Sequence, residues 1–244
     1  MIVNRNDFNV ANNVSYGVGF QLMQNGCFDP EEINIVLQLL STRRVNFGDG
    51  VVALDCGANV GVHTIEWAHA MTNWGAVLAF EAQERIFYML AGNIAINNCF
   101  NARAIWAAVG AQAGEIGVPR PDYFRNASFG SLEIRKTDRT EYIGQAINYS
   151  SDELEKTRML AIDDLCLDRL DFLKIDIEGM EMEALDGARL TIERAKPQIF
   201  IEHIKTNEAQ LNQFLIDRAY RIYPFGNNTI AIHASDPVTI NITS

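Results

Sequence analysis

Short continuous apolar runs recur along this chain, and most are followed by stretches whose apolar residues return every three or four positions. The first pattern suits a strand buried on both faces, the second a helix with one face on a core. In "FDPEEINIVLQLLSTRR", Asp29-Pro30 supplies a cap and a first-turn proline, and Ile33, Val36, Leu37 and Leu40 follow at helical spacing. A buried strand over 51–54 then runs through a glycine turn into a helix at "HTIEWAHAMT". "GAVLAFEA" predicts a second strand ending at Glu81, and "ERIFYMLAGNIAINN" a helix with Ile86, Met89, Leu90 and Ile94 on one side. "ARAIWAAVG" is a third strand. Further on come a short capped turn at "AIDDLCLDRL", a strand at "DFLKIDIEG", a helix at "MEMEALDGARLTIERA", a strand at "QIFIEHI" and a helix at "EAQLNQFLIDRA". "YRIYPFGNNTIAIHA" alternates on both sides of a turn and predicts a hairpin. Five strand–helix units closed by a hairpin predict a doubly wound α/β fold with a mostly parallel sheet and an antiparallel C-terminal pair.

The pattern fits one domain over 1–244, with 1–45 as an N-terminal helical extension. Periodicity fails only in 111–160, where turn residues, basic residues and short apolar stretches mix. A long irregular insertion in a compact domain points to a functional segment. Tyr123, Phe124 and Phe129 stand there beside Arg120 and Arg125. Two readings stay open: a mobile aromatic and basic lid over a sugar-like or anionic acceptor, or a loop pinned by its aromatics.

Composition narrows the function classes. With 31 acids against 20 bases, the net charge is −11, and no Lys/Arg cluster offsets it. That disfavours nucleic acid, whose binding rests on phosphate neutralisation. Cys27, Cys56, Cys99 and Cys166 form no C-x-x-C pair and do not cluster with the four histidines. They read as reduced, mostly buried thiols of a cytoplasmic protein without a structural zinc. No apolar run approaches a membrane span, and "MIVNRNDFNVANN" lacks an apolar signal core.

The chemistry gathers where strands end. "VVALDCGANVGVHT" leads from a buried strand to Asp55 and then through Gly57 and Gly61 into a helix, the layout of a cofactor loop. Glu81 lies twenty positions after Gly61, where a carboxylate meets the two hydroxyls of an adenosine ribose. NAD and S-adenosylmethionine (SAM) share that ribose. The loop separates them: Ala58 and Asn59 replace the central glycine that lets a diphosphate approach, and Asp55 would repel it. A sulfonium and an ammonium suit that acid better, so charge and shape favour SAM.

Together "LDCGANVGVHT", "AFEAQERIFYMLAGNIAINN", "AIDDL", "DFLKIDIEGMEMEALDGA" and "QIFIEHI" resemble the FkbM-type SAM-dependent methyltransferases, from about Phe28 to His203. The resemblance implies a class I methyltransferase fold, into which the closing hairpin fits, and methyl transfer to a hydroxyl of a saccharide or small metabolite. It implies cofactor contacts at Asp55, Gly57, Asn59, Gly61 and Glu81, with Ala108 and Val109 near the adenine; His63, in the first turn after the loop, Ala82 and Asp176 are further cofactor candidates. Cys56 and Gln83 depart from the family's usual choices, and 111–160 matches it poorly. An NAD-dependent oxidoreductase and a SAM-binding module without catalysis are the alternatives.

Transfer to a hydroxyl needs positioning and a base. Asp176, Glu178 and His203, beyond the fourth and fifth strands, are the catalytic candidates. Glu202 reads equally as a site residue or a buried structural acid. His203 has the right chemistry for neutral pH, although a strand-end histidine is commonly structural. His69 and His233 read as surface or packing residues. Asp163 and Asp164 could join Asp176 around a metal, but "AIDDL" reads better as a helix start, and no metal is expected.

Overall fold

The computed structural model describes residues 1–11 and 14–238. A seven-stranded sheet forms its centre. In chain order its strands are β3 (Val51–Cys56), β4 (Gly75–Glu81), β5 (Ala102–Trp106), β9 (Phe172–Ile175), β10 (Gln198–Glu202), β11 (Tyr220–Phe225) and β12 (Asn228–His233). Across the sheet the order is β11-β12-β10-β9-β3-β4-β5. The five strands from β10 to β5 are parallel, and β12 runs antiparallel between β10 and β11. The closing hairpin is thus part of the sheet. The chain winds outward from β3 to β5, then returns to β9 on β3's other side. This reversal opens a crevice at the carboxyl ends of β3 and β9, where ligands of such sheets bind.

Alternation along β3 feeds two cores. Val51 and Ala53 face one cluster, with Phe172, Phe200 and Trp67; Leu54 and Cys56 face another, with Ile175, Ile199, Leu185 and Leu211. The first is covered by α2 (Pro30–Phe47) and α3 (Val62–Ala70), the second by α5 (Glu181–Asp186), α6 (Arg189–Ala195) and α7 (Glu208–Ile216). Strands buried on both faces explain the nearly unbroken apolar runs. Helix α4 (Glu84–Ile96) joins β4 to β5.

The model corrects four details of the sequence reading. The single helix expected after 180 is two, because the chain passes against another backbone at Gly187: a Cβ there would fall 2.1 Å from the Gly110 carbonyl oxygen. The third strand splits at Ala107, and β6 (Ala108–Val109) leaves the main sheet to pair with β8 (Leu154–Leu160), which also pairs with β7 (Gly114–Pro119). No helix follows β5, so the third unit is not strand–helix. The N-terminal extension is not wholly helical: β1 (Asn9–Ala11) pairs with β2 (Val14–Tyr16) before α1 (Val18–Asn25) and α2. Among the described residues no helix is long and apolar enough to cross a membrane. All four cysteines are free, but only Cys56 and Cys99 are buried.

Candidate functional site

A cavity of about 300 Å³ opens at the carboxyl ends of the parallel strands. Its floor is the turn between β3 and α3. Gly57 and Ala58 donate their N–H groups to the Phe80 carbonyl at 3.0 and 2.9 Å, folding the turn against β4. Gly57 has φ +82°, and a Cβ would fall 1.7 Å from the Asp176 carbonyl oxygen, so only glycine fits. Asn59 also takes a left-handed conformation, and its N–H donates to Glu81 Oε2 at 3.0 Å. Glu81 Oε1 accepts from Gln83 N at 2.8 Å. Burial outweighs these bonds and raises the Glu81 carboxyl to about 7. Ala82, Ala107, Ala108 and Val109 continue this wall with small side chains.

The opposite half is crowded with acids. Asp55 is fully buried, with Oδ2 accepting from Thr64 Oγ1 at 2.6 Å and Oδ1 left without a hydrogen-bond partner. Lys174, buried inside β9, lies 3.7 Å from that Oδ1 and donates to Asp176 Oδ2 at 3.0 Å. Burial disfavours its charge, but Asp176 and Asp55 outweigh burial and hold the ammonium above its usual range. Strand β9 ends at Ile175, so Asp176 and Glu178 do not share a strand face. The left-handed turn at Glu178 and Gly179 (φ +57° and +100°) nonetheless swings Glu178 inward. Carboxylate oxygens of Asp176, Glu178 and Glu202 lie within 4.8 Å of one another. Burial and the neighbouring Asp176 charge raise Glu202 to about 8 and push Glu178 well above the carboxylate range. Lys205 pairs with Glu178 and donates to the Ser131 carbonyl at 3.2 Å. Neither Asp176 nor Glu178 caps the next helix, whose N-cap Met180 has no side-chain bond; Glu181 instead braces the turn before it, accepting from Ile177 N and Gly179 N.

Of the residues singled out in the sequence, Asp55, Gly57, Asn59, His63, Glu81, Ala82, Ala108, Val109, Asp176, Glu178 and Glu202 line this one cavity. Gly61 and His203 do not. Gly61 supports the turn from behind, where a Cβ would meet Leu90 at 2.7 Å. His203 shares its Nδ1 with Thr229 Oγ1 at 3.1 Å, beside rather than in the cavity. Asp163 lies elsewhere and caps α6, accepting from Leu190 N and Thr191 N.

The insertion forms a roof, and its aromatics pin it. Tyr123 stacks on fully buried Phe129 with ring centroids 4.8 Å apart, and its hydroxyl donates to Gln83 Oε1 at 3.2 Å. Gln83 Nε2 donates to the Phe129 carbonyl at 2.9 Å. Asp7 accepts from Phe129 N and Gly19 N, tying insertion to N-terminal segment. Ser128, Gly130, Ser131, Leu132 and Ile134 reach the cavity, and Gly130 passes so close to Asn59 that a Cβ would fall 2.5 Å from its Nδ2. Phe124, Arg120 and Arg125 point to solvent.

Three charged cavity residues escaped the sequence reading of the site. Lys174 carried a signal: a lysine inside a run buried on both faces must find a carboxylate. Glu32 carried none, since an acid in a helix's first turn ordinarily serves the helix dipole. Asp29 sits at the N-cap position of α2 as expected, but in a left-handed conformation with no capping bond, and its side chain lines the cavity instead.

The methyltransferase FkbM domain model matches residues 55–222, more than two thirds of the chain. Among solved structures, methyltransferase FkbM from Methylobacillus flagellatus KT is similar at 19% identity and TM-score 0.52 over 79% of this chain. This chain spans about half of that protein's length, 48%. A precorrin-6y C5,15-methyltransferase from Geobacter metallireducens GS-15 aligns over 94% of both chains at 16% identity and TM-score 0.46. SMU.1697c of Streptococcus mutans, solved in complex with S-adenosylhomocysteine (SAH), aligns over 82% of this chain and 97% of its own at 13% identity and TM-score 0.47. No curated protein matches.

Proposed function

This chain belongs to the FkbM methyltransferase family, with SAM as its cofactor, and from that premise we propose that it methylates a hydroxyl group of a saccharide or small metabolite. The observation that carries this reading is the division of the cavity. Glu81 and a wall of small residues stand at one side, and Asp176, Glu178 and Glu202 at the other, bridged by the Gly57–Asn59 turn.

The donor set fits SAM. Among the described residues Lys174 is the one Lys or Arg in the lining, and Asp55 and Asp176 already engage it. A diphosphate would bring negative charge with no free cation to meet it. A sulfonium and an ammonium meet carboxylates instead. Glu81 would accept from the ribose hydroxyls in place of the Asn59 N–H, and Ala107, Ala108 and Val109 would flank the adenine. When bound, SAM supplies a methyl carbon on a positively charged sulfur that leaves as a neutral thioether.

The chain's own contribution is orientation and proton removal. With SAM bound, its methyl would be the group the hydroxyl oxygen receives, the carbon–sulfur electron pair being left on sulfur, and the residues of this chain would hold the two in line. The hydroxyl proton passes to a carboxylate, for which Glu202 is the best placed. It lines the cavity, and in its ionised form, which grows as pH rises toward 8, its raised pKa makes it a stronger base than an ordinary carboxylate. Asp176, held by Lys174, orients the acceptor and leaves a negative field near the transferring methyl. His203, turned to Thr229, has no such access.

A tritiated-methyl assay on Glu202→Gln, Asp176→Asn, Glu178→Gln and His203→Ala tests these roles. We expect Glu202→Gln to lose about 10²- to 10⁴-fold in kcat, with SAH affinity retained. His203→Ala should stay within about threefold of the parent protein. Full activity in all three acid variants, or collapse in His203→Ala alone, overturns the assignment.

A further inference from the structure

The cavity lining divides by sequence region. The parts assigned above to the cofactor and the base fall within residues 55–222, where the family model matches. The wall facing them does not: Tyr16, Gly17, Val18, Gln21, Phe28, Asp29 and Glu32 come before it, and Asn227 and Asn228 after it. This wall adds carboxylates and no cation. Glu32 enters from the first turn of α2, and its Oε1 accepts from Asn228 Nδ2 at 2.7 Å. Asn228 pairs directly with Glu202 across the β10–β12 ladder, so Glu32 and Glu202 flank one space. Beside this wall, with its ring centroid 6.5 Å from that of Phe28, His63 lines the cavity. His63 is 5% exposed, and its Nδ1 has no partner among the described residues. A polar atom stranded at that depth is costly unless a ligand meets it.

Resting on the function proposed above, we infer that Glu32, braced by Asn228, is an acceptor-binding residue, and that the acceptor is a polyhydroxylated molecule whose protonated amino group is held by Glu32 while a neighbouring hydroxyl lies at Glu202. Seven carboxylates line the cavity, those of Asp29, Glu32, Asp55, Glu81, Asp176, Glu178 and Glu202. Lys174 and Lys205 engage Asp55, Asp176 and Glu178, and Glu81 is committed to the ribose. Asp29, Glu32 and Glu202 have no cation within ion-pair distance among the described residues. Burial raises Glu32 to about 7, the mark of a carboxyl whose charge is not yet compensated. A phosphorylated or carboxylated acceptor would enter against this field. SAM's own ammonium would meet acids nearer the Gly57–Asn59 turn, and an acceptor ammonium would compensate Glu32, with its neighbouring hydroxyl facing Glu202.

Glucosamine, glucose and glucose 6-phosphate serve as probes, assayed with tritiated-methyl SAM at pH 7 and, separately, by thermal unfolding with SAH present. We expect glucosamine to exceed glucose by at least about tenfold in kcat/KM and to raise the unfolding midpoint more, with glucose 6-phosphate last in both. Glu32→Gln should bring the glucosamine-to-glucose ratio close to one while SAH affinity by calorimetry stays within about twofold. A preference for the phosphate, an unchanged ratio in Glu32→Gln, or label on nitrogen instead of oxygen overturns the inference. So does a loss of SAH affinity in that variant, which would make Glu32 a cofactor contact. An amine preference in binding without any transfer supports the inference and counts against the methyl-transfer reading, so the two fail separately.

Discussion

The two ends of the central sheet both bury acids, and they treat them in opposite ways. At the amino ends of the strands, Asp171 is fully buried and completely engaged: it accepts from Arg43 Nε at 3.1 Å, from Arg169 Nε at 2.7 Å and from Val52 N at 3.0 Å. Asp236 takes the other arm of Arg43 and the Gln198 amide. This network fastens α2 and the segment just after β12 to the base of the sheet. At the carboxyl ends, buried Glu81 and half-buried Glu32, Glu178 and Glu202 have fewer cations than charges among the described residues, and each is driven toward its protonated form. A buried acid with all its partners holds a fold together. A buried acid without them stores unfavourable energy that a cationic ligand releases, which is the usual signature of a working site.

Breaking the satisfied end should have the largest effect. Asp171→Ala removes the buried carboxylate that Arg43, Arg169 and Val52 N share, leaving Arg43 with Asp236 alone, and should cost about 3–5 kcal/mol in urea unfolding. SAH affinity of the folded fraction should be unchanged; a selective loss of affinity would erase the distinction between the ends. The second effect is pH dependence without ligand. A carboxyl whose folded pKa is raised keeps its proton where the unfolded chain has released it. Its contribution is therefore full below the unfolded value and lost as pH rises to the folded one. For Glu81, about 7 when folded against 4.5, and Glu202, about 8, the loss runs from about pH 4.5 to 8. Fully buried Glu81 alone corresponds to a loss on the order of 3 kcal/mol. The unfolding midpoint should fall across that range, and saturating SAM should flatten the fall. A midpoint that rises from pH 5 to 8 contradicts the account.

Glu81→Ala should weaken SAH binding by about 10- to 100-fold, the equivalent of losing a charged hydrogen-bond acceptor for two hydroxyls. Calorimetry measures it directly, and an unaltered affinity would remove Glu81 from the cofactor wall. The smallest effect is expected at the exposed tip of the insertion. Phe124→Ala and Arg125→Ala should stay within about 0.5 kcal/mol of the parent protein's stability and leave kcat/KM unchanged. A large loss in either would restore a basic aromatic lid.

What could be read in the sequence follows the distance over which each feature is built. The turn of Gly57, Asn59 and Gly61, the strand-end Glu81 and the strands β3, β4, β9 and β10 are written in short windows, where local backbone demands choose the residues. The cap was illegible because it joins residues far apart in the chain. Asp7 fastens Phe129, Gln83 holds the insertion, and Glu32 meets Asn228 across nearly the whole sequence. Broken periodicity marked 111–160 as irregular and left open whether its aromatics pin it, as half-buried Tyr123 and buried Phe129 do. The base was uncertain for a similar reason. Glu202 and His203 are adjacent, and only the register of β10 against β12 turns one into the cavity and the other to Thr229.

The most direct test of the central claim, that the under-compensated end of the sheet is a SAM site, is thermal unfolding of the ligand-free protein with SAM, SAH or NAD. Each ligand at about 100 times its dissociation constant adds roughly 2.7 kcal/mol of stability. For a chain of this size that corresponds to a rise of roughly 5–10 °C. The account predicts this rise with SAM and SAH and none with NAD. A rise with NAD alone, or with none of the three, would contradict it.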